Sequence, residues 1–164
     1  MTEWEREYLS RTSGHRDIVH VDANDLTYSY DATTVPTPTD NRLVAVWGRS
    51  GTPSGPRDAL RMRGYPSPKA KSAEVPLDRG HAVAHSAGGS EEGINLIPQN
   101  RYLNRGWSPE GKEWTRLERQ LAATLGTPFF IRPIYSDKSD FPAQIEFGVQ
   151  QPDGSWDSHI FQNR

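Results

Sequence analysis

Short runs of alternating apolar and polar residues predict strands at both ends of the chain. DIVHV and RLVAVWG in the first third combine this alternation with β-branched residues, as do PFFIRPIY, AQIEFGVQ and WDSHIF in the last third. PDGS, between the last two runs, is typical of a hairpin turn. The pattern favours a sheet dominated by antiparallel strands.

Helical spacing of apolar residues occurs in two segments. WEREYL near the start predicts a short amphipathic helix, and SPEGKEWTRLERQLAATLG predicts the longest helix of the protein. In the longer segment, Trp114, Leu117, Leu121 and Leu125 form an apolar stripe that we expect to pack in the core, and Gly126 is placed to end the helix.

The middle of the chain predicts a strand, a turn, a second strand and the start of a helix. LDRGHAVAHS and INLIPQ are the two strand-like runs, AGGSEEG is the turn between them, and QNRYLNRGW can begin a helix. Upstream, TTVPTPTDN and GRSGTPSGPRDALRMRGYPSPKAKS predict long loops, the second with one helical turn at RDALRM. We therefore predict a single α+β domain over residues 1–164, with an antiparallel sheet and long loops.

Composition and charge limit the possible classes. The absence of cysteine excludes disulfides, thiolate zinc sites and cysteine nucleophiles. The sequence has neither a Sec-type signal segment at its start nor an apolar run that could cross a bilayer, so we expect a soluble protein without membrane contact. The net charge is -2, yet residues 57–119 hold 11 Lys/Arg against 8 Asp/Glu, and this basic part includes the strand–turn–strand segment.

Three side chains of that segment match the needs of phosphodiester hydrolysis, which are a base, a cation and positive charge at the phosphate. His81 is the natural base, because an imidazole ordinarily titrates near neutral pH. The amide oxygen of Asn104 suits a hard cation such as Mg²⁺, and Arg79 can bind phosphate oxygens with its guanidinium fork.

The order of the motifs resembles that of a known family. The blocks DRGH, NLIPQ, LNRGW and RLE are similar to those of the DNA/RNA non-specific endonucleases, which belong to the ββα-metal (His-Me finger) superfamily. The matching positions are Asp78, Arg79, Gly80, His81, Asn95, Pro98, Gln99, Asn104, Gly106, Trp114, Leu117 and Glu118. The resemblance implies a ββα-metal core at about residues 76–120.

The resemblance also implies roles for these residues. His81 would be the general base, and Asn104 would be the direct protein ligand of one Mg²⁺ or Mn²⁺ ion. Asn95 would orient the His81 loop or contact the phosphate, and Glu118 would hydrogen-bond a metal-bound water. Arg79 would contact the phosphate, while Asp78 and Gly80 would maintain the motif. The arginines expected at nucleic-acid phosphates are Arg79, Arg61, Arg63 and Arg105.

Some assignments have alternatives. Trp107 competes with Trp114 as the motif tryptophan, and if it is the motif residue, the acid of the helix is Glu110 or Glu113. His85 follows His81 at a spacing that suits a zinc pair, but the sequence offers no third ligand. Glu91 and Glu92 in the glycine-rich turn are expected to face solvent, and Tyr102 is expected to pack rather than to stack on a base.

The function predicted from the sequence is metal-dependent, sugar-non-specific endonuclease activity on DNA and possibly RNA. A compact nuclease of this kind fits a secreted bacterial toxin or effector that acts in the cytoplasm of a target cell and meets a cognate immunity protein. Two other functions stay open at this point. They are a catalytically inactive module that binds nucleic acid and a protein-interaction domain on the same scaffold.

Overall fold

The computed structural model describes residues 1–33, 42–53, 55–56 and 74–164. Three α-helices lie in this part of the chain: α1 (Glu3–Arg11), α2 (Arg101–Asn104) and α3 (Pro109–Ala123). The strands are β1 (Ile18–Ala23), β2 (Leu26–Asp31), β3 (Arg42–Arg49), β4 (Leu77–His81), β5 (Leu96–Asn100), β6 (Pro128–Ile134), β7 (Gln144–Gln150) and β8 (Trp156–Gln162). The helical turn predicted at residues 57–62 lies outside the described residues.

A six-stranded antiparallel sheet with the order β1-β2-β3-β6-β7-β8 forms the body of the molecule. Its strands pair mostly with their neighbours in sequence, as the alternation predicted. Strand β2 is an addition to the prediction. It forms a hairpin with β1 through Asn24, whose φ is 56°. Its alternation is masked because the polar residues Ser29 and Asp31 are buried on one face, opposite the buried Leu26 and Tyr28 of the other.

Helix α3 covers one face of this sheet. Its N-cap is Ser108, whose hydroxyl accepts a hydrogen bond from the Gly111 N–H at 2.9 Å. Trp114, at 0% exposure, contacts the rings of Phe147 and Phe161 at centroid distances of 5.0 and 5.3 Å. The apolar contact therefore fixes α3 against β7 and β8.

The predicted apolar stripe of α3 is right for all but its last member. Leu117 and Leu121 are buried with Trp114, whereas Leu125 is 52% exposed. The inclusion of Leu125 was wrong because the helix ends at Ala123, and Thr124 and the left-handed Gly126 then turn the chain toward β6.

Helix α1 covers the opposite face. It begins with a capping box in which the Thr2 hydroxyl and the Glu5 carboxylate each accept a backbone N–H of the other residue. Trp4 stacks on Phe130 at 4.7 Å between ring centroids. Tyr8 donates a hydrogen bond of 2.6 Å to the buried carboxylate of Asp31. Polar as well as apolar contacts therefore hold α1 on the sheet.

A separate two-stranded sheet holds the predicted motif. Strands β4 and β5 pair antiparallel from Leu77 opposite Asn100 to His81 opposite Leu96, and α2 and α3 follow directly. The predicted α+β class and the strand–turn–strand–helix order are thereby confirmed. None of the helices in the described part of the chain has the length and apolar content needed to span a membrane.

Candidate active site

His81 lies at the end of β4, where the chain leaves the two-stranded sheet. The residue is 7% exposed, and its Nε2 atom lies 2.8 Å from Oε1 of Glu91. The expectation that Glu91 faces solvent was wrong, because the turn between β4 and β5 folds back and leaves the Glu91 side chain only 13% exposed. Glu92 beside it is exposed, as predicted. The candidate base is therefore held by a carboxylate that the motif does not include.

Asn95 holds the two sides of the same turn together. Its Oδ1 accepts the Val83 N–H at 2.8 Å, and its Nδ2 donates to the carbonyls of Val83 and Ser90 at 2.9 and 2.7 Å. The side chain is 0% exposed, and its two bonds to Val83 are shielded from water. This bonding fixes the turn that carries His81 and Glu91.

Two glycines allow the turn to close over Asn95. A Cβ atom at Gly89 would lie 1.9 Å from the Val83 carbonyl oxygen and 2.9 Å from Nδ2 of Asn95. Gly88 has a φ of +93°, which favours glycine. The turn therefore requires glycine at position 89 for lack of space and favours it at position 88 for its backbone conformation.

Asp78 binds three side chains of the segment around α2. Its carboxylate accepts hydrogen bonds from Arg101 Nε at 3.0 Å, from Asn104 Nδ2 at 3.1 Å, and from Arg105 Nε at 2.7 Å with a second bond at 3.1 Å. Burial of the Asp78 carboxyl raises its pKa, but the hydrogen bonds outweigh this effect and hold the pKa below its ordinary value. Asp78 therefore stays ionised and ties α2 to β4.

Asn104 is the last residue of α2, and the bond to Asp78 fixes the plane of its side-chain amide. The Nδ2 group is used by Asp78, whereas Oδ1 accepts no hydrogen bond from the described residues. Gly106, with a φ of +69°, then reverses the chain toward α3. An oriented amide oxygen with an open lone pair is available at this position.

Gly80 and Gln99 form the contact between β4 and β5 behind the site. A Cβ atom at Gly80 would lie 2.2 Å from Oε1 of Gln99, so any other residue would displace this side chain. Gln99 is 0% exposed, and neither end of its amide has a hydrogen-bond partner in the described part of the chain. Gln99 thus fills space opposite the glycine without gaining a bond.

The segment after α2 presents aromatic rings and a guanidinium to solvent. Tyr102 and Trp107 are 50% and 59% exposed and contact each other edge to face at 6.2 Å. The Arg105 guanidinium lies 4.9 Å from the centre of the Trp107 ring while it binds Asp78. The expectation that Tyr102 packs inside was wrong, because α2 turns this side chain away from the core.

The remaining predicted residues lie as follows. Arg79 in β4 and Glu118 in α3 are partly buried, and Arg61 and Arg63 lie outside the described residues. Of the alternative acids, Glu113 binds Arg116 on the same helix at 2.5 Å, and Glu110 is exposed in the first turn of α3. Trp114 is a core residue, in contrast to the exposed Trp107.

No described group of three or more His, Cys, Asp or Glu side chains has the arrangement of a metal site. His85, the second histidine of HAVAH, has its Nε2 atom 2.9 Å from the carbonyl oxygen of Gly55. The metal-binding candidate among the described residues is therefore the amide oxygen of Asn104, as part of a site with few protein ligands.

A histidine at the end of β4, an asparagine at the end of α2 and the long helix α3 after them follow the order expected of a ββα-metal nuclease. The family model for DNA/RNA non-specific endonucleases matches residues 18–152, and the chain belongs to this family of metal-dependent endonucleases. No curated protein sequence matches the chain.

Among solved structures, the fold is similar to that of a protein described as "Structure of Sda1 nuclease with bound zinc ion". The TM-score is 0.44 and the sequence identity 19%, and the similarity covers 54% of this chain and 38% of the other. The matched part thus spans less than half of the other nuclease.

Proposed function

We propose that this protein hydrolyses phosphodiester bonds of DNA, and of RNA at the same site, with His81 as the general base. The observation that carries the proposal is the double attachment to β4. The last residue of β4 is His81, which is held by Glu91. The second residue of β4 is Asp78, which orients Asn104. A proton acceptor and an amide oxygen are therefore both attached to the same short strand.

Glu91 gives the imidazole a defined tautomer in this proposal. If Nε2 donates its proton to the Glu91 carboxylate, Nδ1 carries the lone pair and can accept the proton of an attacking water. The carboxylate also stabilises the imidazolium that forms. Glu91 is thus a positioning residue, and Asn95 acts through the turn that holds both side chains.

The residues present fit a single hard cation. The oxygen of Asn104 has no other partner among the described residues, and its amide plane is fixed by Asp78. We propose that Asn104 binds one Mg²⁺ or Mn²⁺ ion directly and that Glu118 binds it through a water. When bound, the ion would supply positive charge at the scissile phosphate.

Binding of the nucleic acid is assigned to the basic and aromatic side chains around α2. Arg79 and the exposed Arg105 are proposed phosphate contacts, and Arg61 and Arg63 are proposed from the sequence alone. Tyr102 and Trp107 offer exposed rings next to Asn104, on which unstacked bases can pack. Stacking of this kind is independent of base identity, which agrees with a non-specific enzyme.

The biological role proposed from the sequence is that of a bacterial toxin or effector nuclease acting in a target-cell cytoplasm and neutralised by an immunity protein. Induced expression in a bacterial host tests this role. The wild-type chain should stop growth and degrade the chromosome, whereas His81→Ala should be tolerated at the same protein level. Normal growth with an active enzyme would argue against a toxin.

A nicking assay tests the enzymatic function. Supercoiled plasmid and total RNA are incubated with Mg²⁺, with Mn²⁺ or with EDTA, and cleavage should require the divalent ion. His81→Ala should lower the rate by about a hundred- to ten-thousand-fold, the usual cost of losing a general base. His85→Ala is the matched control, because this histidine lies in the same loop and bonds a backbone carbonyl.

Two results of this assay would reject the proposal. Cleavage that persists in EDTA would contradict a metal-dependent reaction. Retention of nucleic acid without cleavage, by a folded wild-type protein with Mg²⁺ or Mn²⁺, would instead support the inactive binding module.

A further inference from the structure

A cavity of about 560 Å³ lies on the α1 face of the six-stranded sheet. Helix α1, the segment that follows it and the loop after β6 form its walls. Arg132 and Gln144 of the sheet line this cavity, whereas the alternating residues Ile131 and Ile145 belong to the core under α3. The cavity is thus separated from His81 by the sheet.

Basic side chains dominate the charge of the cavity. Its basic lining residues are Arg11, Arg16, Arg42, Arg132 and Lys138, and its acidic ones are Glu7 and Asp137. A cavity of this size is typical of a small-molecule site. The charge balance favours an anionic ligand.

The two acidic residues already have partners. Glu7 binds Arg11 at 2.6 Å and also binds Arg132, whose second partner is Glu146 at 2.7 Å. Asp137 binds Arg164 at 2.7 Å. The carboxylates that line the cavity are therefore engaged by residues other than Arg16 and Arg42.

Among the described residues, Arg42 has no carboxylate partner, and Arg16 has only a long contact with Asp31. Arg42 is 2% exposed, lies 4.5 Å from the centre of the Tyr135 ring, and donates to the Asp137 carbonyl. The Arg16 side chain is 11% exposed and lies 4.0 Å from Asp31, a carboxylate that also accepts hydrogen bonds from Tyr8 and Thr33.

Each of the two guanidinium groups also has an unsatisfied donor. The Nε atoms of Arg16 and Arg42 are buried and have no hydrogen-bond partner among the residues that the structure describes. A buried charge with an unpaired donor is unfavourable unless an anion or another acceptor is supplied. Both groups line the same cavity.

We propose that this cavity is a binding site for a small phosphate-bearing molecule. Guanidinium groups bind phosphate oxygens with paired hydrogen bonds, and phosphate can accept from both arginines at once. Val44, Ile134 and Trp4 in the lining add an apolar wall for the organic part of a phosphate ester such as a nucleotide. The site is independent of the nuclease reaction on the other face.

Isothermal titration calorimetry tests the proposal with two probes, inorganic phosphate and a nucleoside 5′-monophosphate. EDTA is present throughout, and chloride keeps the ionic strength constant. The wild-type protein should bind each probe saturably at one site. Tighter binding of the nucleotide would show that the apolar wall takes part, and equal binding would limit the ligand to the phosphate group.

Four variants locate the binding. Arg16→Gln and Arg42→Gln should each weaken binding by about tenfold or more, because each removes a charge-assisted bond. Arg49→Gln removes an exposed arginine of the same sheet that bonds Gly126, and Arg79→Gln changes the nuclease site; both should bind like the wild type. Should Arg42→Gln fail to fold, Arg16→Gln decides the question.

The proposal is overturned if no saturable binding is seen. It is also overturned if Arg79→Gln abolishes binding and Arg16→Gln does not, since the phosphate would then lie at the nuclease site. Nicking by Arg16→Gln should equal that of the wild type. Loss of phosphate binding with full cleavage would thus leave the proposed nuclease function intact.

Discussion

The two faces of the six-stranded sheet are buried by different kinds of contact. Toward α3 the sheet presents a continuous apolar layer made of Tyr28, Val46, Phe129, Ile131, Ile145, Phe147, Val149 and Phe161. Toward α1 the buried side chains include the charged groups Glu5, Asp31 and Arg42 and the hydroxyl of Ser29. One face is therefore held by apolar packing and the other largely by a polar network.

In the segment formed by β4, β5, α2 and α3, the residues that pack in the core are not the residues proposed to take part in the reaction. The ββα segment rests on the apolar layer through Trp114 and through Ala82 and Val83, directly after His81. Its polar residues Asn95 and Asp78 form hydrogen bonds to the turn after His81 and to Asn104, and neither residue belongs to the apolar layer. On the α1 face, by contrast, polar groups carry the packing themselves.

The largest expected effect is on the free energy of unfolding. Trp114→Ala should lower it by about 3–5 kcal/mol, because a fully buried ring leaves a cavity in the apolar layer. Trp4→Ala, on the α1 face, should cost less because Trp4 is only partly buried. Urea denaturation measures both, and equal losses would contradict the contrast between the faces.

Two buried or partly buried glutamates should respond in different ways. Glu91→Gln should reduce nicking by about 10–100-fold, the usual effect of removing a group that orients an active-site residue. Glu5→Gln, which alters bonds to Ser29 and His20, should lower stability and leave the specific activity unchanged. Glu92→Gln, at the exposed neighbour of Glu91, is the matched control.

The roles of these two glutamates can be refuted directly. Wild-type nicking activity in Glu91→Gln would remove its positioning role. If Glu91→Gln lowered the unfolding free energy as much as Glu5→Gln does, its effect on activity would be structural.

Acid should lower the free energy of unfolding through two carboxylates, Asp78 in β4 and Glu5 in α1. Hydrogen bonds outweigh burial and lower the pKa of Asp78 below 3.8 and that of Glu5 below 4.5. Each group with a lowered pKa contributes stability above its unfolded pKa and loses that contribution as pH falls through the folded value. Unfolding measured from pH 6 to pH 2.5 should therefore depend less on pH in Asp78→Asn and in Glu5→Gln. Unchanged slopes would contradict the bonding described here.

The smallest expected effect is at Gln99. Because its buried amide makes no hydrogen bond to the described residues, Gln99→Met should be neutral or stabilising by about 1 kcal/mol. Tyr8→Phe on the α1 face removes a bond of 2.6 Å to a buried carboxylate and should cost about 1–3 kcal/mol. Thermal unfolding distinguishes the two, and a destabilised Gln99→Met would indicate that the amide does have a partner.

Sequence patterns identified the features that are local in the chain. Alternation located β3 and β6 to β8, helical spacing located α3, and the motif located β4 and β5. The predicted first strand of the motif was too long, because it included Ala82 to Ala84, whereas β4 ends at His81 and the chain turns there. Strand β2 was not predicted because both of its faces are buried, one with apolar and the other with polar residues. Its polar positions therefore hide the alternation.

Features that depend on distant residues were not accessible in the same way. The bond from Glu91 to His81 follows from the folding of a turn, and the bond from Glu5 to His20 joins a helix to a strand. Arg42 gave no signal as a candidate ligand residue, because its burial arises only when α1 and the loop after β6 meet. An acidic residue beside a glycine pair that closes back on a motif histidine is the signal that could have identified Glu91.

The central claim is that His81 and Asn104 divide the work of one site, and calorimetric Mn²⁺ titration of His81→Ala and Asn104→Ala tests it most directly. The account predicts that His81→Ala binds Mn²⁺ like the wild type but does not nick plasmid, whereas folded Asn104→Ala loses most of its affinity for the ion. Wild-type Mn²⁺ affinity in Asn104→Ala would contradict the account.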